Sequence, residues 1–483
     1  MLAKYDSERG LQRNLSNRHI QLIAIGGAIG TGLFMGSGKT ISLAGPSVVV
    51  VYIIIGAVLF LVMRAMGELL LADLRYGTFS DFIADIVGPG AGFFTGWTYW
   101  LCWIVTGTAE VIAITAYVQY WWPNTPNWIP ALATILVLYS LNALTVRAFG
   151  EVEFWFSMIK IIAIIALIII GVVMVMSAFE SPDGTVTSVT YLWDHGGFFP
   201  KGPEGFVAGF QIAVFAFVGI ELVGTTAAET KDPSKSLPKA VNSIPVRILL
   251  FYVGALLAIM CVTPWNKVDP EMSPFVTVFD LVGLQNAASV VYFVVLTSAA
   301  SSCNSGLYST SRMMFGLSRN GDSPKIFQKL SGRHVPLNAL ILSCIMLASS
   351  IFLMYLGDTA MEAFTIVTTV ASILFMFIWA LIVAAYIMYR LQRPHLHKKS
   401  SFKLPGGLVS CGIIYIFIGF LLWALWQQPD TRQAMLGTIV WFILLGGFYL
   451  FVRKNEKYKE RVEEHRQKRE EMKKLRLDDS AQQ

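Results

Sequence analysis

Four glycines fall within eight residues of an apolar stretch, in Ile25-Gly26-Gly27-Ala28-Ile29-Gly30-Thr31-Gly32. Each glycine costs a helix about 1 kcal/mol against alanine, so the segment invites unwinding. Unwound backbone at membrane depth is tolerated only where protein or a water-filled cavity surrounds it. A half-helix restarting after Gly30 would aim free N–H groups, and the positive end of its dipole, into that cavity. Such a terminus suits a carboxylate. A second segment, Phe215-Ala216-Phe217-Val218-Gly219-Ile220-Glu221-Leu222-Val223-Gly224, again joins glycines to a carboxylate inside an apolar run. Paired interruptions at corresponding places in two halves of a chain point to a transport site. The competing reading of either segment is a small-residue face for helix packing, and the recurrence weakens it. Dinucleotide binding is set aside, because no strand precedes the glycines.

Charges at membrane depth are costly, so each is a functional candidate. Lys160 lies about two turns into a long apolar run, Glu110 near the middle of another, and Glu221 just beyond the second interruption. A lysine that exchanges its proton in the membrane can carry a coupling proton, whereas a snorkelling lysine is the structural alternative. Glu110 and Glu221 serve either as proton sites or as acceptors for exposed backbone amides. Arg64, Glu68 and Asp73 read as interfacial ion pairs. The strip Thr297–Gly306 is dense in hydroxyls and carries Asn304 and Ser305, which we single out as candidates for contact with the pathway; helix-joining hydrogen bonds are the other reading.

These residues need spans to hold them. The 483-residue chain is 55% hydrophobic and 14% charged, against about 25% charged in soluble domains. A span takes roughly 20 apolar residues. Apolar segments run at about 19–38, 46–66, 93–120, 128–146, 154–178, 205–228, 243–264, 286–316, 335–356, 360–389, 406–427 and 433–452. The fold class is therefore all-α integral membrane, with about twelve transmembrane helices. Residues 1–18 form a polar N-terminus, 19–452 the transmembrane domain, and 453–483 a charged tail. With the N-terminus inside, only Lys39, Lys201, Lys267 and Arg432 fall outside, so both termini are expected in the cytoplasm. The tail reads as a solvated helix within reach of anionic headgroups.

No enzyme constellation emerges. The six His include His19, His395 and His397, none beside a nucleophile or metal partner, and the five Cys lack metal-ligand spacing. There is no phosphate-binding P-loop, and the basic residues sit in loops rather than on one face, which argues against nucleic acid. No metal and no cofactor is expected.

At these residues the chain resembles the amino acid transporter family of the amino acid–polyamine–organocation superfamily. The likeness rests on Leu15–His19 leading into Gly26–Gly36, on Glu153-Phe154-Trp155-Phe156 leading to Lys160, and on Phe215–Glu221, Ser301–Arg312 and Arg393-Pro394-His395. It implies a LeuT-like fold of 5+5 inverted repeats, about 19–178 and 205–389, with two extra helices at about 406–452. It further implies uptake of small neutral amino acids, with glycine, D-alanine and D-serine in view, by proton symport across the bacterial inner membrane. Amides around Gly30, Thr31 and Gly32 would hold the substrate carboxylate. Carbonyls near Ala28 and Ile29, and near Phe215 and Val218, would take the ammonium, with Ala216 and Phe217 in the same site, and Lys160 would stand in for a sodium ion. The partners are then an amino acid, the proton and the lipid bilayer. An exchanger and a non-transporting amino acid sensor are the other readings.

Overall fold

The computed structural model describes residues 29–76, 78–144, 146–182, 184–225, 232–281, 287–355 and 359–481; residues 1–18 and Ala28 lie outside them. Each expected span has a helix at its place. The described part of the first is helical over Thr31–Phe34 and Gly36–Ala44, and a turn at Gly45–Ser47 leads into span two, Val48–Ala72. Span three is Pro89–Trp121, span four Trp128–Asn142 and span five Val146–Met176. Span six is split into Gly202–Ala213 and Leu222–Thr225. Span seven runs over Pro233–Val262 and contains a π-helical turn at Ile248–Val253. Spans eight to twelve are Ala287–Arg319, Leu337–Leu353, Ala360–Gln392, Leu408–Gln427 and Pro429–Val452. Among the described residues the sole β-type pairing is a bridge between Glu180 and Val186.

Hydrocarbon offers no partners to backbone groups, so helices that satisfy their own bonds are the natural elements here. Their burial separates core from rim. The apolar window of span six is 89% buried, that of span five 28% and that of span twelve 17%. Ile162, Ile169 and Val173 on span five, and Ile443 and Leu444 on span twelve, lie exposed on the outer face, as a lipid-facing surface requires. Span three is the central post, packed along spans eight and ten, and the first span's half-helix lies along span six.

Two expectations are corrected. Span five begins at Val146 rather than near 154, so Lys160 stands about four turns into it, not two. The group Arg64, Glu68 and Asp73 is not a set of mutual ion pairs. Glu68 is fully buried and accepts from Tyr386 Oη at 3.0 Å and the Leu404 amide at 2.9 Å, with His397 Nδ1 at 2.6 Å. Arg64 instead donates to Asn242 and lies 3.8 Å over the Phe402 ring, while Asp73 pairs with Arg75. A buried carboxylate needs this full set of donors, and span ten together with the linker after it supplies them.

The same end of the bundle is tied by Asp85, on the helix Phe79–Ile86 between spans two and three. It meets Arg393 at 2.7 Å and Tyr76 Oη at 2.6 Å. Burial pushes the Asp85 carboxyl up, yet Tyr76 and Arg393 together hold it below the ordinary carboxylate range. The tail, helical over Glu456–Ala481, is not purely solvated: Arg461 pairs with the buried Asp322 at 2.8 Å, and Tyr458 bonds Tyr449 at 2.7 Å.

Candidate functional site

The extended Gly30 at the head of the first described helix and the break in span six meet. Gly30 caps the restarting half-helix in extended conformation, with φ −134° and ψ −159°. Its carbonyl accepts from the amides of Leu33 and Phe34 at 3.2 and 3.3 Å. Thr31 and Gly32 open this helix, where N–H groups lie outside its own ladder, and the Thr31 amide is turned to the Glu110 carboxylate. In span six the helix gives way to a tight turn at Phe215–Phe217; Val218 is extended and Gly219 takes φ +98°. That last dihedral lies in a region glycine alone enters freely.

Gly32 stands directly against the second break. A Cβ on it would lie 2.6 Å from Ala216 Cα and 3.0 Å from Phe215 Cδ1, closer than packed carbon atoms approach. Phe215 in turn meets Phe364 of span ten edge-on at 5.8 Å. Phe217 faces elsewhere, stacked on Tyr252 of span seven at 5.0 Å and beside Tyr52. Tyr252 donates its hydroxyl to the Ala216 carbonyl at 2.8 Å, so span seven braces the break. The Ile29 carbonyl accepts from Ser298 at 3.2 Å, and the Phe215 carbonyl from the Val218 amide at 3.1 Å. Beneath Ile29 and Phe217 lies a cavity of about 20 Å³, bordered by Arg247, with room for about one water.

Glu110 of span three closes the mouth of the half-helix. Its Oε1 would lie 2.8 Å from a Cβ built on Gly30, with Ser302 Oγ at 3.2 Å from the same point. It is buried; the Thr31 amide and the Thr31 and Ser302 hydroxyls hydrogen-bond its carboxylate, and the Lys160 charge acts on it. Lys160 is fully buried and feels two carboxylates, Glu153 and Glu110. Glu221 is also fully buried, its carboxylate turned to the backbone amides of Gly219 and Glu221 at the break, and its charge bears on Cys102 of span three.

The structure thus gathers Gly30, Thr31, Gly32, Phe215, Ala216, Glu110 and Lys160 around one centre. Ala28 lies outside the described residues. Asn304 stands apart, as a node between helices: it accepts from Asn142 Nδ2 of span four at 2.8 Å and donates toward Glu153 Oε2 at 3.5 Å. Ser305 lies beside the same carboxylate. The sequence reading missed Glu153 as an ionisable group in its own right, along with Arg247 and Tyr252. For Glu153 a signal was present, because it precedes Lys160 by seven residues, two helical turns on one face.

A many-span helical bundle whose central spans break face to face, leaving backbone amides and buried ionisable groups at mid-depth, defines a membrane carrier of small solutes. The family model described as amino acid permease matches residues 19–462. The chain is 62% identical over 448 residues, 93% of its own length and 95% of the relative's, to the D-serine/D-alanine/glycine transporter of Escherichia coli. It is 50% identical to the amino-acid permease AapA of Bacillus subtilis, with 91% and 95% covered. It is 41% identical to the DL-alanine permease of Lactococcus lactis, with the same coverage. The chain belongs to the amino acid permease family; it is an integral membrane protein that transports amino acids, not an enzyme.

Proposed function

We propose that the protein imports small neutral amino acids, chiefly glycine, D-alanine and D-serine, in symport with protons across the bacterial inner membrane, with both termini in the cytoplasm. The substrates follow those named for the Escherichia coli relative at 62% identity, and the orientation follows the loop charges. The amides of Thr31 and Gly32 take the substrate carboxylate, and carbonyls at Ala28, Ile29, Phe215 and Val218 take its ammonium. Phe215 and Ala216 limit the side chain. Because backbone reads both charged groups, little enforces one hand at Cα, and D- and L-forms both fit. Alternating access comes from one repeat, about 19–178, rocking against the other, about 205–389. A proton gradient is the driving force, and no cofactor takes part.

The observation that carries this reading is Glu110 at the head of the half-helix. Its carboxylate occupies the same positive terminus that the substrate carboxylate needs. Two like charges about 4 Å apart repel by about 1 kcal/mol even in bulk water, and by more where water is scarce. Substrate therefore binds when the Glu110–Lys160 group has taken up a proton, which couples the two solutes. The test is uptake of labelled glycine and D-alanine into vesicles holding the purified protein, with an inward proton gradient. Accumulation above the external concentration is expected. Binding without accumulation would leave a sensor, and accumulation only against an internal amino acid would leave an exchanger.

A further inference from the structure

Glu153 is fully buried in span five, and the spans around it surround it with polar groups. Ser301 Oγ of span eight donates to Oε1 at 2.5 Å, and Asn304 Nδ2 donates toward Oε2 at 3.5 Å. Ser305 of span eight also bears on it, and the charge acting on it is that of Lys160. Span four is joined to it through Asn142, which bonds Asn304, and Lys160 feels both it and Glu110 of span three. Isolated charges are expensive to bury, whereas a buried set is tolerated when its charges cancel.

Lys160, fully buried, feels the charges of two buried carboxylates, Glu110 and Glu153. With all three ionised the set carries one net negative charge, and a single added proton brings it to zero. The set is therefore a carrier of one proton, with Glu110 at the substrate end. Glu153 is seven residues nearer the start of span five than Lys160, about 10 Å along the helix. In the proposed orientation that is the cytoplasmic direction.

We infer that Glu153 is the acceptor to which Lys160 passes the coupling proton on its way out of the site. In the step an N–H bond of the Lys160 ammonium breaks, its electron pair stays on nitrogen, and an O–H bond forms on the Glu153 carboxylate. An ion pair becomes a neutral pair, so net charge is conserved and no new desolvation cost arises. The Glu153 carboxyl then releases the proton to water at the cytoplasmic end. Ser301 and Asn304 hold the carboxylate in place and restore its ionised form.

This inference rests on the symport reading, and one experiment separates them. Wild type, Lys160→Ala, Glu153→Gln and Glu153→Asp are reconstituted in vesicles and assayed for glycine counterflow, gradient-driven glycine accumulation and glycine-induced proton movement. Glu153→Gln, which keeps the volume and cannot take the proton, is expected to retain counterflow and lose both accumulation and proton movement, as Lys160→Ala does. Glu153→Asp should recover part of each. Accumulation and proton movement at wild-type level in Glu153→Gln would overturn the inference alone when Lys160→Ala still fails. Loss of counterflow in both Glu153 variants would make the residue a structural brace and overturn it equally. Absence of proton movement in wild type would remove the symport reading itself.

Discussion

At the scale of single residues the account turns on how closely two backbones approach. A methyl at position 32 would sit 2.6 Å from Ala216 Cα, and neither partner is a flexible side-chain end that can swing aside. Overpacking of this kind costs about 1–3 kcal/mol, so Gly32→Ala is expected to weaken glycine binding by roughly tenfold or more. Thermal-shift titration with glycine measures it, and unchanged affinity would remove the meeting of the two breaks from the site. Thr31→Val should be mild, since the amide and not the hydroxyl is assigned to the substrate. Lys160, Glu110 and Glu221 were legible in the sequence because a charge in an apolar run advertises its cost. Glu153, though two turns before Lys160 on the same face, was passed over because the apolar run starts near 154. Only the helical start at Val146 puts it inside.

At the scale of elements, the break in span six and the helix that starts after Gly30 were the most readable features. The contact between the breaks was invisible, since sequence spacing says nothing of which helices touch. Gly219 at φ +98° fixes the second break. Gly219→Ala should cost about 1–3 kcal/mol in stability, read as a lowered melting temperature of the detergent-solubilised protein; an unchanged melting temperature would mean the break relaxes freely. The tail was read as a solvated helix, but complementary charge docks it through Arg461 and Asp322. Burial pushes the Asp322 carboxyl up to about 6 despite the Arg461 guanidinium. For an acid raised in the folded state, the neutral form is favoured: its contribution to stability is full below the unfolded value near 4 and is lost as pH rises through about 6. Above that pH Asp322 is a buried carboxylate that depends on Arg461. Arg461→Ala should therefore loosen the tail at pH 7.5, seen as faster amide exchange over Glu456–Ala481, and have a smaller effect at pH 5. Equal effects at both pH values would exclude the ion pair as the anchor.

At the scale of the whole molecule, the count of spans followed from apolar length alone, and the rim and core could be told apart only once packing was known. Spans five and twelve face outward, yet span five also carries Lys160 and Glu153 on its inner face. A helix with lipid on one side and the proton-bearing groups on the other links the bundle's surface to its centre. The account's central claim is that substrate and proton occupy this centre together. The most direct test is to add D-alanine to vesicles holding the purified protein, with no pre-set pH gradient, and to follow internal pH. The account predicts acidification of the interior that depends on D-alanine and disappears in Lys160→Ala. An interior pH that stays constant while labelled D-alanine enters would contradict it.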